Sequence, residues 1–133
     1  MSRQIFISLP VADLPKSIAF YKTLGFDHNA QFTDDTAACI VISEAIHVML
    51  LTHAKFTSFT PKSICDTKTS TEVLLSLNCE SREEVDGLVA KALSAGGSTQ
   101  GKPEDDEFMY QHDFSDPDGH QWGVFSMKGM PPQ

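Results

Sequence analysis

Along the first eleven residues Ile5, Ile7 and Leu9 alternate with Phe6, Ser8 and Pro10, the period of a β-strand. Pro10 suits a strand end or an edge, where no ladder amide is needed. The period then changes. Leu14, Ile18, Tyr21 and Leu24 form a helical stripe, with Asp13 as its N-cap, Pro15 in the first turn and Gly25 as its stop. Strand-like stretches follow at 27–33, 37–43 and 47–53, separated by the turns Asp34-Asp35 and Ser43-Glu44. From 54 to 71 the chain is rich in Ser, Thr and Lys and contains Pro61, which predicts a linker.

The same order of periods then returns. An apolar run at 73–79 meets Ser81-Arg82-Glu83-Glu84, a capping box in which Ser81 and Glu84 can each satisfy the other's end amide. Val85, Leu88, Val89, Ala92 and Leu93 make the second helical stripe, which Gly96-Gly97 ends. Strands are expected at 98–100, 108–114 and 121–127, with Asp116-Pro117-Asp118-Gly119 as a tight turn before the last one. Lys128 to Gln133 should fray. The chain is thus one α+β domain, residues 1–133, built from two βαβββ modules: the first at about 1–56, the linker at about 54–71, the second at about 72–127. Two half-sheets of this kind are expected to pair into a cupped mixed sheet around a cavity, where a small molecule would bind.

Composition narrows the function classes. A net charge of -8 with 10 Lys and Arg leaves no basic cluster to neutralise phosphates, so nucleic acid is not an expected partner. No apolar run approaches the roughly 18 residues of a membrane span. Met1-Ser2-Arg3-Gln4 shows no basic start followed by an apolar stretch, so a cytoplasmic protein is expected. Three cysteines, Cys39, Cys65 and Cys79, cannot all pair internally and form no C-x-x-C; they read as reduced thiols. Cys39 and Cys79 sit in apolar strands, where burial favours an inert thiol. The acidic run Glu104-Asp105-Asp106-Glu107 lacks the oxygen spacing of a calcium loop and is expected as an exposed turn.

Two stretches carry a resemblance. Residues 7–26, ending Phe20-Tyr21-Lys22-Thr23-Leu24-Gly25-Phe26, and the later Asp116-Pro117-Asp118-Gly119-His120 resemble the opening and closing signatures of the vicinal oxygen chelate superfamily. That superfamily includes glyoxalase I, bleomycin-resistance proteins and extradiol dioxygenases. The likeness spans nearly the whole chain and is nearest to bacterial glyoxalase-like proteins described as lactoylglutathione lyases. It implies the doubled module, a homodimer, and in the enzymes a divalent metal held by four side chains from the first and fourth strands of the modules, acting as a Lewis acid. Carried over position by position, these ligands fall on Phe6, counted back from Asp13, and on Leu74, counted back from Ser81. The fourth-strand positions fall on Leu50 and Gly123. None of the four side chains can bind a divalent ion, so no metal and no other cofactor is expected.

The cavity wall is then expected from Phe6, Ser8, Leu50, Thr52, Leu74, Ser76, Gln121 and Phe125 as a ligand-binding surface. Ser8 and Ser76 stand at equivalent places in the two modules and would hydrogen-bond a ligand. His47 and His53 have the parity of Met49 and Leu51, opposite to Leu50, and should face away from the cavity. His112 is placed in the penultimate strand with its reach into the cavity left open, His120 in the turn, Trp122 in the core. The first functional reading is a small-molecule binding protein that sequesters its ligand without metal. The alternative is a lyase or isomerase of the glyoxalase I type with shifted ligands, drawn from His47, His53, Glu72 and His112. No catalytic residue is assigned.

Overall fold

The structure, a computed structural model, describes residues 3–128. It is α+β and divides into two compact units between Asp66 and Thr67, each a βαβββ module. In the first, β1 (Ile5–Val11) leads to α1 (Leu14–Thr23), β2 (His28–Asn29), β3 (Ala37–Val41), β4 (Ile46–Thr52) and a short α2 (His53–Thr57). In the second, β5 (Leu75–Cys79) leads to α3 (Arg82–Ser94), β6 (Glu104–Asp105), β7 (Met109–Ser115) and β8 (Gln121–Met127). The two sheets have the same strand order, β1-β4-β3-β2 and β5-β8-β7-β6. In each, the first strand lies parallel to the last and the other pairs are antiparallel.

Local chemistry explains the helix ends. The Asp13 carboxylate accepts the Lys16 amide at 3.1 Å, and the Ser81 hydroxyl accepts the Glu84 amide at 3.1 Å. The returning bond of the second box goes one residue further out than expected: the Glu84 carboxylate takes the Glu80 amide at 2.7 Å, not that of Ser81. Gly25 and Gly96, at φ +102° and +99°, end α1 and α3 in the left-handed conformation that a side chain disfavours.

The core of the first module lies between α1 and its sheet. Phe20 and Tyr21 of α1 are buried, as are Leu9, Val11, Ala38, Ile40, Val48 and Leu50 of the strands. In the second, Val85, Val89 and Ala92 of α3 pack on the face that carries Leu75, Tyr110, Phe114, Trp122 and Val124. Trp122 is therefore core, as expected, and its ring stacks on Phe114 with centroids 6.3 Å apart.

Four expectations need correction. The strand at 27–33 shrinks to His28–Asn29 followed by a 3₁₀ turn at Ala30–Phe32. Asp27 and Asn29 carry its amides away from a ladder: their side chains accept from His28 and Gln31 at 2.8 and 3.0 Å. The linker contains α2, because the Thr52 hydroxyl accepts the Lys55 amide at 3.2 Å and starts a helix at His53. The strand at 98–100 is a single bridge, Ser98 to Ser115. The acidic run is only half a turn. Glu104 and Asp105 form the edge strand β6 against Gln111 and Tyr110, and the Asp106 carboxylate closes the turn on the amides of Phe108 and Met109 at 2.8 and 2.9 Å. These amides hold the Asp106 carboxyl below its ordinary pKa. Of the tail expected to fray, Lys128 is described, and its amide donates to the Phe108 carbonyl at 2.9 Å; residues 129–133 lie outside the described range.

Candidate functional site

Strand alternation gives each sheet one helix-packed face and one other face, and the register assigns each residue to its side. In the second module, Ser76 pairs with Gly123 and Gly123 with Asp113; Asn78 pairs with Phe125 and Phe125 with Gln111; Gln121 pairs with Ser115. These residues share the face away from α3. A cleft of about 330 Å³ opens on it. Its floor and near wall come from Leu74, Ser76, Gln121 and Gly123, and its far wall from Gln111, His112 and Asp113. Gln100, Lys102 and Glu104 close the edge.

That edge is held by the sheet. The Asp113 carboxylate accepts the Thr99 hydroxyl at 3.2 Å through one oxygen and the Gln100 amide at 3.0 Å through the other. His112 Nε2 lies 3.2 Å from the Thr99 hydroxyl and 2.9 Å from the Gly101 carbonyl. The Gln111 amide donates to the Glu104 carboxylate at 3.2 Å. Gly123 keeps the floor low: a Cβ there would stand 3.3 Å from Ser76 Oγ. The β7–β8 turn sets the alignment. Gly119, at φ +87°, closes it, and the Asp116 carboxylate accepts the amides of Asp118 and His120 at 3.0 and 2.9 Å, which places His120 in the turn as expected. Thr67, just past the boundary between the units, donates its hydroxyl to the Asp118 carbonyl and braces this turn.

Four expected positions thus meet at one cleft: Leu74, Ser76, Gln121 and Gly123. Leu74 is 62 % exposed and precedes β5. Phe125 shares the face but lies one pair along, beside Gln111, outside the cleft lining. His112 does border it. The sequence reading missed Gln111 and Asp113, although the tight turn at 116–119 fixes which β7 residues oppose Gly123 and Phe125. Gln100 and Lys102 sit on an irregular segment with no periodic signal.

In the first module the expected set divides between two faces. Phe6, 54 % exposed, pairs with His47 and stacks on its ring at 4.6 Å and 11°. Ser8 pairs with Met49. Leu50 instead pairs with Leu9 and Ala38 on the α1 face and is 0 % exposed. Leu50 therefore does not share a surface with Phe6 and Ser8, and neither does Thr52, which has the parity of Leu50 and spends its hydroxyl on the cap of α2. The expectation that His47 faces away from Phe6 is reversed for the same reason. β4 carries Val48, Met49, Leu50 and Leu51 in a row, so apolar residues occupy both faces and alternation could not reveal the register. The internal repeat corrects it: Ser8 opposite Met49 matches Ser76 opposite Gly123, so the fourth-strand position is Met49.

The residues at the implied divalent metal positions are then Phe6, Met49, Leu74 and Gly123. They do not supply the oxygen and nitrogen donors such an ion needs. Of the residues of the shifted alternative, His53 begins α2 and Glu72 lies exposed before β5, and among the described residues no group of three His, Cys, Asp or Glu that could hold a metal ion is found. No helix among the described residues is long and apolar enough to cross a membrane.

Known proteins agree with this architecture. A hypothetical protein from S. aureus, SA1046, is 32 % identical, with 95 % of this chain and 94 % of that one covered and a TM-score of 0.81. Protein ATC0852 from Agrobacterium tumefaciens is 25 % identical, covers 97 % and 100 %, and has a TM-score of 0.74. A glyoxalase/bleomycin resistance protein/dioxygenase family enzyme from Burkholderia phytofirmans PsJN shares the fold at 18 % identity, 94 % and 98 % coverage and a TM-score of 0.77. No curated protein sequence gives a significant match. Residues 3–124 match the profile of the Glyoxalase/Bleomycin resistance protein/Dioxygenase superfamily, and the chain belongs to that superfamily.

Proposed function

We propose that this chain is a small-molecule binding protein of the superfamily that sequesters a compact polar ligand in the second-module cleft, without the divalent centre of the enzymes. The observation that carries the reading is the pairing of Ser76 with Gly123. The position where a metal-binding carboxylate would stand has no side chain, and the space it leaves is cleft. Ser76 offers a hydroxyl, Gln121 an amide, and Asp113 a carboxylate already fixed by Thr99 and Gln100, so a ligand's donors and acceptors meet groups that need little reordering. Leu74 supplies an apolar wall. Sequestration needs no proton transfer, so it asks nothing of His112 and Asp113 beyond the bonds they already make to Thr99, Gln100 and Gly101. The reading includes a homodimer, as the resemblance implies, and a cytoplasmic location, as the free cysteines suggest.

Calorimetric titration with nickel, zinc and ferrous ions tests it, together with native mass spectrometry of the purified protein. No stoichiometric divalent binding is expected. A retained small molecule should be present in the wild type and absent from Gly123→Leu, which fills the floor. Turnover of the methylglyoxal–glutathione hemithioacetal with nickel or zinc added would overturn the reading in favour of a lyase. Sedimentation velocity checks the dimer.

A further inference from the structure

The corrected register brings three soft donors onto one face of the first sheet. Met49 pairs across β3–β4 with Cys39, and His47 stands two residues before Met49 on the same side. Cross-strand partners of this kind keep their Cβ atoms about 5 Å apart, and diagonal neighbours about 7–8 Å apart. A methionine thioether and an imidazole are long enough to close that gap. Cys39 is 1 % exposed, whereas His47 and Met49 are half-buried. His47 Nδ1 is buried and has no hydrogen-bond partner, although the ring is held in place by its stack on Phe6. A buried polar nitrogen without a partner is costly, and a bound ion would satisfy it.

We propose that Cys39, His47 and Met49 form a binding site for a soft monovalent ion, Cu(I). A thioether beside a thiolate and an imidazole is a donor set suited to this ion; the thioether is the soft donor that hard divalent ions, which take carboxylate and carbonyl oxygens, do not use. The site thus uses the fourth-strand metal position, but with sulfur in place of a carboxylate. Binding exchanges a proton for the ion: the Cys39 S–H bond breaks, an S–Cu bond forms, the proton passes to solvent, and copper stays in the +1 state. Burial pushes the Cys39 thiol above its ordinary pKa, so it is protonated at neutral pH until the ion displaces the proton.

The test is an anaerobic Cu(I) titration of the purified protein against a chromogenic Cu(I) chelator, read with thiolate-to-copper absorption in the ultraviolet. One equivalent should be retained by the wild type and by Cys65→Ser, which removes the exposed thiol. Cys39→Ser should lose the absorption band. Met49→Leu and His47→Phe preserve shape and stacking, so both should fold, and each should weaken retention at least about tenfold. Failure of the wild type to retain Cu(I), loss of retention in Cys65→Ser, or unchanged affinity in Met49→Leu and His47→Phe would each overturn the site. The proposal does not depend on the sequestration reading, which is tested with divalent ions and with Gly123→Leu.

Discussion

The two modules repeat one topology and diverge on one face. Each buries a helix against its sheet with the same logic, so Leu9, Val48 and Leu50 in the first do what Leu75, Trp122 and Val124 do in the second. The opposite faces differ. The first carries Phe6, Cys39, His47 and Met49; the second carries Ser76, Gln111, Asp113, Gln121 and Gly123. Helix-side residues are constrained by packing, where one lost methylene is felt, while the exposed and half-buried positions of the other face, such as Phe6, Met49, Gln121 and Gly123, can change chemistry at less cost to the fold. The repeat thus separates what folds the chain from what equips it.

Neighbouring residues on β4 give the strongest way to break that comparison. Leu50→Glu would bury a carboxylate with no partner under α1, at a cost of about 4 kcal/mol or more, and the protein should fail to fold. Met49→Glu, one position along on the other face, should cost about 1 kcal/mol. The second module should repeat the contrast, with Val124→Glu severe and Gly123→Glu mild. Urea denaturation of the four variants measures it. Equal losses at positions 49 and 50 would mean that the strand faces are misassigned.

The buried cysteines sharpen the comparison through pH. Burial, aided by the negative charge of Glu84, pushes the Cys79 thiol up to about 11 from its ordinary 9.0. The unfolded thiol ionises near 9 while the folded one keeps its proton to about 11. The contribution is therefore fully present below pH 9 and is lost as pH rises from 9 to 11, by roughly 2 kcal/mol. Cys39 is raised by burial too, and Tyr110 by its bond to Asp86, so both add to the loss in the same direction. Cys79→Ala should flatten part of the fall in a series of denaturation curves from pH 8 to 11. An unchanged slope would show that Cys79 ionises freely in the folded protein.

Gly123→Glu separates the fold of the second module from the missing carboxylate. Its Cβ would press on Ser76 Oγ at 3.3 Å, a hydroxyl that can turn aside, and its carboxylate would stand across from Asp113. A cost of about 1–2 kcal/mol follows from like charges at facing positions and partial burial. No divalent affinity should appear, because both oxygens of the facing Asp113 are already taken by the Thr99 hydroxyl and the Gln100 amide, and Leu74 supplies no donor. Tight nickel or zinc binding by this single variant in calorimetry would reveal ligands that the present assignment lacks.

What could be read from the sequence divides along the same line as the modules' faces. The capped helices, the glycine stops and the tight turn at 116–119 have local chemical causes, and each stands where it was expected. The second-module face was legible because β8 alternates cleanly, Gln121, Gly123 and Phe125 on one side and Trp122 and Val124 on the other. β4 hid its register behind an apolar run, which misplaced Leu50, Thr52 and His47. The 98–104 segment was not legible at all, since its position depends on side-chain bonds to Asp113 and His112 rather than on any period of its own.

Asp113 is the residue through which that unreadable segment joins the cleft, and its removal should give the smallest effect on stability and a specific one on the site. Both carboxylate oxygens are engaged, one by the Thr99 hydroxyl and one by the Gln100 amide. Asp113 lies on the face away from α3, so Asp113→Ala leaves no cavity in the core, and the loss should be about 1 kcal/mol, the net worth of a charged hydrogen bond or two at a part-exposed place. The first module should be untouched. Hydrogen exchange resolves the difference: protection of the Gln100 amide should fall, while amides of β1 and β4 keep theirs. Asp113→Asn, which retains one acceptor, should recover part of the protection. If protection at Gln100 survives Asp113→Ala, the segment is held by the Ser98–Ser115 bridge and by His112 instead, and the cleft wall owes nothing to the carboxylate.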